Sequence, residues 1–231
     1  MTLEMVQRKV RLAARALARG GLVNAYGHCS MRLDSDTFVV CAARPMGLIA
    51  DGEDGRIVPI TGPLPEGVLG EVRVHQQIYR RRPDTQAVCR VLPPNVLALS
   101  GIGRTPLPRH GFGAYFYPKV PFWNNPALLR SDENAAAVAE EMGSAPAVVM
   151  RGNGAVTAGD SLEQAVTLAW FLEDAARVEL AALASAVPDG ATLFTADEAT
   201  ARATWMGGVA ERMWAYLTAG DAEAGLEVTH P

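Results

Sequence analysis

The feature that most constrains this fold lies between residues 147 and 186. Two short apolar runs, Ala147–Met150 and Ala155–Ala158, flank the segment Arg151-Gly-Asn-Gly154. Two glycines within four residues predict a tight turn, so the runs read as paired strands. Ser161 follows, with Gln164 three residues on, which is the pattern of a capping box. Leu162, Ala165, Val166, Ala169, Leu172 and Ala176 then form an apolar stripe at helical spacing. That stripe predicts one long helix from Ser161 to Ala186, and it must lie on another apolar surface.

The remaining chain alternates in the same way. Leu3, Val6, Val10, Ala13, Ala14 and Leu17 predict an amphipathic helix over 3–19, stopped by Gly20-Gly21. After a turn at 24–27, His28–Leu33 and Thr37–Cys41 read as a hairpin across Asp34-Ser-Asp36. Short strands are expected near Leu48 and Ile57. Leu69–Arg81 reads as a helix, and Gln86–Leu92 as a buried strand ended by Pro93-Pro94. Residues 101–127 are proline-rich and loop-like. Ser131–Met142 reads as a helix with Ser131 as its cap. Glu198–Leu217 reads as a final helix. These elements make one α/β domain over 1–220, a mostly antiparallel sheet flanked by helices, with 221–231 as a loose tail.

The chain has 231 residues, with 21 Lys and Arg against 25 Asp and Glu. Such a mildly acidic chain lacks the basic face of a nucleic-acid binder. Its one basic run, Arg80-Arg-Arg82, reads as a solvated helix C-terminus. No apolar run reaches membrane length, and the charged N-terminal segment does not read as a signal peptide. Cys29, Cys41 and Cys89 form no CxxC pair. An odd number suits no disulfide framework, so the reading is a reducing cytoplasm.

Three blocks carry a family resemblance. Gly21-Leu-Val-Asn-Ala-Tyr-Gly-His-Cys-Ser-Met-Arg32 resembles the opening of the class II aldolase/adducin superfamily, with His28 where Asn is common. Gly70-Glu-Val-Arg-Val-His75, with Ile78-Tyr79, Arg82-Pro-Asp84 and Ala87-Val88, resembles the second family block. Val148-Val-Met-Arg-Gly-Asn-Gly-Ala-Val-Thr-Ala-Gly159, with Leu162-Glu-Gln-Ala165, resembles the third. The resemblance implies an α/β/α sandwich and a homo-oligomer, commonly a tetramer, whose sites lie between subunits. It also implies a divalent metal held by an HxH pair, a third His and a nearby Glu. Two residues apart on a strand share a face, so such a pair converges on one ion. In this chain the His positions read Arg90, Leu92 and Asn153, and only Glu71 remains. One carboxylate and an amide oxygen are not a transition-metal set, so no metal cofactor is expected.

Glu71 and Arg90 are the candidate catalytic residues. Glu71 would move a proton if its pKa were raised. Arg90, on a buried strand, would either pair internally with Glu71 or hold a substrate carboxylate or enolate oxygen. His28, Ser30, Asn153, His110 and Tyr115 are the candidate substrate-binding residues, the last two from the long loop. His75 reads as helix packing, and the cysteines as small core residues.

The first expectation is a metal-independent lyase. It would cleave or decarboxylate, or do related enolate chemistry by cyclisation or isomerisation, on a carboxylated small molecule that is not a sugar phosphate. The second is a non-catalytic, adducin-like assembly protein, whose pocket Leu92 and its neighbours would fill. The third is a metal-dependent aldolase or decarboxylase with ligands recruited elsewhere, such as His28 or His110.

Overall fold

The paired strands join into one sheet. In the computed structural model, which describes residues 1–185 and 192–225, seven strands stand in the order β3-β2-β1-β4-β7-β6-β5. They are β1 (His28–Arg32), β2 (Thr37–Val40), β3 (Arg56–Pro59), β4 (Ala87–Val91), β5 (Phe122–Trp123), β6 (Ala147–Met150) and β7 (Ala155–Gly159). Only β5 and β6 run parallel; the other neighbours are antiparallel.

The period of two along each strand builds two cores. On β4, Ala87, Cys89 and Val91 face the helices α1 (Leu3–Arg19), α3 (Pro94–Gly101), α5 (Leu162–Ala184) and α7 (Val209–Thr218). Val88 faces α2 (Arg73–Arg81) and α4 (Asp132–Met142) on the other side. The result is a single α/β/α domain. By the same alternation Arg90 on β4, and His28 and Ser30 on β1, belong to the α2 face. That placement brings the polar residues of three elements together.

The caps read from sequence are present. Ser131 accepts from the Asn134 amide and Ser161 from that of Gln164, and Thr2, which the sequence reading does not name as a cap, accepts from Met5. The capping box at α5 is offset by one residue, because Gln164 accepts from the Asp160 amide instead of that of Ser161. Ala186, the expected end of that helix, lies outside the described residues.

Two expectations need correction, and one helix has no counterpart among them. Residues Met46–Leu48 form a 3-10 turn, not a strand; this turn begins after Pro45, and Gly47 lies close against Ala18 of α1. The expected helix 198–217 is two helices, α6 (Ala196–Arg202) and α7, divided by Gly207 and Gly208 at φ of 76° and 70°. The helix α3 was not expected. Its signal is Pro94 at the first helical position, and the Glu173 carboxylate accepts from the Asn95 and Val96 amides at its start.

Candidate active site

Two glycines bring loops close enough to β4 to make a pocket. Gly154 has φ of 75°, and a Cβ there would stand 2.1 Å from the Val91 carbonyl oxygen. Gly27 has φ of 132°, and its Cβ would meet Val23 at 2.7 Å. Only glycine permits both the positive φ and the close approach. The β6–β7 turn and the loop before β1 thus close on the end of β4. They enclose a cavity of about 450 Å³ lined by His28, Arg44, Glu71, Arg90, Leu92, Arg130 and Asn153, among others.

Arg90 is the deepest charge in this cavity, with 7% of its surface exposed. Its Nη2 donates to Asn153 Oδ1 at 2.6 Å. Its Nε is buried and has no hydrogen-bond partner. Burial disfavours its charge, and Glu71 restores part of that cost. The expected Arg90–Glu71 ion pair does not form. Instead Glu71 Oε1 accepts from Arg130 Nε at 2.8 Å. Glu71 sits on a 3-10 turn, Gly70–Val72, ahead of α2, and Arg130 precedes the Ser131 cap of α4, so two helix starts meet here.

Burial raises the pKa of Glu71, but the Arg130 hydrogen bond and the charges of Arg130 and Arg90 outweigh it and lower the net value. In the free protein Glu71 is therefore an ionised carboxylate, not a raised acid. His28 is 3% exposed, and its Nε2 lacks a partner. Burial first, then the charges of His75 and Arg90, hold its pKa well below the ordinary value. The imidazole is neutral.

Ser30 is fully buried and bonds to His75 and Tyr79, so it stands behind His28 and not at the cavity wall. His110 Nε2 lies 2.8 Å from Asp174 Oδ2, and the Tyr115 hydroxyl donates to the Thr204 carbonyl. Neither lines the cavity of its own chain. Arg44 and Arg130 were not singled out from sequence. Both precede a Pro or a helix cap with no local pattern, and only the fold turns them to the cavity. A second concavity of about 510 Å³ lies beside α2 and α4. Its arginines are already partnered, Arg73 by Asp132 and Arg80 by Gln77, so it holds no comparable unpaired donor.

The cavity donors do not fit a divalent metal. Asn153 Oδ1 is taken by Arg90, Glu71 is taken by Arg130, and Leu92 offers no donor atom. Three guanidinium groups face one carboxylate, which repels a cation and attracts an anion. Among the described residues, the cluster with metal-ligand spacing is Asp51, Asp221 and Glu223. Its carboxylates lie elsewhere, salt-bridged to Arg11, Arg15 and Arg19. Neither His28 nor His110 belongs to it. The cavity is also open, and Leu92 lines it without filling it as an assembly domain would require.

Residues 8–180 match the family described as Class II Aldolase and Adducin N-terminal domain. The chain is 33% identical over 192 residues to a 3,4-dihydroxyphthalate decarboxylase of Arthrobacter keyseri, covering 74% of this chain and 76% of the relative. It is 31% identical to the enzyme of that description from Rhodococcus jostii strain RHA1, covering 80% and 81%. Among solved structures, l-fuculose-1-phosphate aldolase from Thermus thermophilus superposes with a TM-score of 0.70 at 27% identity, over 79% of this chain and 97% of that one. An aldolase II superfamily protein from Pseudomonas syringae reaches 0.77 at 21% identity, over 94% and 92%, which shows the fold.

Proposed function

Because the chain belongs to the class II aldolase and adducin family, we propose that its lyase activity is the decarboxylation of a ring-hydroxylated aromatic dicarboxylate. That it is a lyase of the decarboxylase type, acting on a carboxylated molecule that is not a sugar, follows from its decarboxylase relatives. The observation that carries the substrate class is the buried Arg90. A guanidinium cannot shed its proton in a protein, and one buried without a direct carboxylate contact is costly. An anionic substrate supplies the missing counter-charge.

The roles divide by depth. Arg44, ion-paired to Glu53, and Arg130, ion-paired to Glu71, stand at the exposed rim and share those guanidinium groups with the substrate carboxylates. Arg90, held by Asn153, faces the oxygen that gains charge in the reaction. Glu71 is the carboxyl group at the cavity that carries a proton to the ring carbon. Protonation of the carbon bearing the carboxylate breaks aromaticity. The bond to the carboxylate then cleaves, its electron pair restores the ring, and CO2 departs. A hydroxyl beside that carboxylate makes the step feasible, and 3,4-dihydroxyphthalate, the substrate named for the relatives, has this arrangement.

The rim exposes apolar side chains. Tyr26 is 70%, Leu128 54% and Leu69 42% exposed, and all three line the cavity mouth. This supports assembly into a homo-oligomer, a tetramer by family resemblance, in which a second subunit covers the mouth. His110 and Tyr115 would reach a substrate only across such a boundary. Three buried free thiols support a reducing cytoplasmic location.

The test is turnover of 3,4-dihydroxyphthalate by the purified protein, followed by chromatography of the products, before and after exhaustive chelation. The expected result is loss of one carboxylate at a rate that chelation leaves unchanged. Arg90→Ala should lower kcat by about 10²-fold, the scale of a lost oxyanion donor. Failure to turn over any hydroxylated phthalate, or activity abolished by chelator and restored by zinc or manganese, would overturn this reading.

A further inference from the structure

A line of four polar side chains runs from the core to the cavity. Alternation on β1 sends His28 and Ser30 to the α2 face, and one helical turn places His75 and Tyr79 opposite them. His28 Nδ1 lies 2.7 Å from His75 Nε2. His75 Nδ1 lies 2.6 Å from Ser30 Oγ, and Ser30 Oγ lies 2.9 Å from the Tyr79 hydroxyl. All four residues are at most 3% exposed.

Each link holds one proton, and a hydroxyl can accept twice but donate once, so three arrangements are open. In one, Tyr79 donates to Ser30, Ser30 to His75 Nδ1, and His75 Nε2–H to His28 Nδ1. His28 then carries its own proton on Nε2. In the second, every bond reverses and the buried Tyr79 proton has no acceptor among the described residues; in the third, Ser30 accepts from both Tyr79 and His75, and its own buried proton has none. An unsatisfied buried donor keeps the full penalty of its lost hydration. The first arrangement leaves one buried orphan, the His28 Nε2–H on the cavity wall, whereas each of the others leaves two, a hydroxyl proton and the bare His28 Nε2. Both imidazoles are neutral, His75 because burial and the charge of Arg90 push its pKa down to about 3. A neutral imidazole has one N–H, so the chain decides which nitrogen bears it.

Directly across from His28 in the sheet stands Arg90. Its Nε–H is the other buried donor at the cavity without a partner. We propose that Tyr79, Ser30 and His75 fix His28 as the Nε2–H tautomer, and that this N–H and Arg90 Nε–H together seat one substrate oxygen, the ring oxygen beside the departing carboxylate. This assignment rests on the decarboxylase reading. The hydroxyl gives up its proton to solvent on binding and enters as a phenolate, so protonation of the ring carbon makes that oxygen carbonyl-like. As the carbon–carboxylate bond breaks, the electron pair re-forms the ring and leaves the oxygen as a phenolate. The added proton remains as the ring C–H, and CO2 leaves. The two N–H groups stabilise the charge as it forms. His28 touches the substrate; His75, Ser30 and Tyr79 are positioning residues.

The test reads the tautomer directly, by nitrogen NMR of protein labelled in its 4 histidines. In the unaltered protein His28 should be protonated on Nε2 and bare on Nδ1. Adding 3,4-dihydroxybenzoate, which is 3,4-dihydroxyphthalate less the carboxylate beside a hydroxyl, should shift the His28 Nε2–H signal. Tyr79→Phe should mix the His28 tautomers and lower kcat about tenfold with KM little changed. A proton on His28 Nδ1, or an Nε2–H signal that the dihydroxybenzoate leaves unmoved, would overturn the proposal. So would a Tyr79→Phe protein that keeps both the tautomer and kcat. The labelled protein needs no turnover for this readout. The expected tautomer and shift in a protein without decarboxylase activity would therefore support the seat while rejecting the decarboxylase reading.

Discussion

Glu71 is ionised in the free protein, yet the proposed decarboxylation needs a proton at the ring carbon. The geometry offers a way to reconcile the two. Arg130 holds the Glu71 carboxylate, and Arg130 also stands at the rim where a substrate carboxylate arrives. A bound carboxylate draws on Arg130 and adds negative charge beside Glu71, and both effects raise its pKa. The pH dependence of kcat/KM reports the free enzyme, and that of kcat reports the complex. If Glu71 acts as the acid, activity falls as pH rises through its pKa. The falling limb of kcat should therefore lie at higher pH than that of kcat/KM. Arg130→Ala should move the kcat/KM limb upward, because it removes the bond that holds Glu71 ionised. Glu71→Gln should lose about 10²-fold in kcat, the lower scale of general acid catalysis. Pre-steady-state and pH-rate measurements on these two variants decide the matter, and identical limbs in all proteins would remove Glu71 from the proton path.

At the level of elements, local signals are the ones that proved legible. Alternating runs locate β1, β2, β4, β6 and β7, and the caps at Ser131 and Ser161 mark helix starts that need only neighbouring residues. The turn at Arg151–Gly154 was legible for the same reason. Where a side chain points across the fold was not. Arg90 was recognised as a buried charge, but its partner Asn153 is 63 residues away, and Arg130 is 59 residues from Glu71. Nothing in either local sequence names the other. His75 was read as helix packing, which its burial fits, but its link to His28 depends on how α2 crosses β1. The β6–β7 turn is the element on which the site most depends. Gly154→Ala would force a Cβ to within 2.1 Å of the Val91 carbonyl at a positive φ. The backbone penalty alone is about 1–2 kcal/mol, and the clash pushes Asn153 away from Arg90. Thermal denaturation should show a Tm lower by at least about 2–4 °C, on the scale for a chain of this size, with a raised KM. An unchanged Tm and KM would mean that this turn does not hold Arg90.

At the scale of the molecule, charges far from the cavity tie the two ends of the chain together. Arg11, Arg15 and Arg19 lie at successive turns along one face of α1. Asp221 and Glu223, within the segment expected to be a loose tail, accept from them: Arg15 donates to both, Arg11 to Glu223 and Arg19 to Asp221. Residues 226–231 lie outside the described residues. Arg15 and Asp221 are almost wholly buried, with side chains 9% and 2% exposed. Breaking one partner of such a group leaves an uncompensated charge, so the network acts as a latch closing α1 and α7 over the sheet. The pH dependence has a definite sign. Burial raises the pKa of Asp221, but hydrogen bonds from Arg15, the Glu223 amide and Arg19 prevail and lower it from 3.8 to about 2. A carboxylate with a depressed folded pKa adds stability above its unfolded value and loses it as pH falls. The contribution is thus complete above about pH 4 and disappears as pH falls through about 2, and a shift of this size corresponds to about 2 kcal/mol. Asp221→Asn should lower Tm at neutral pH by roughly 4–8 °C, and its Tm should fall less steeply than that of the unaltered protein between pH 4 and 2. Calorimetric scans across that range make the comparison. A variant whose Tm and acid sensitivity match the unaltered protein would show that the arginines of α1 find equivalent partners in solvent and that the latch contributes no net stability.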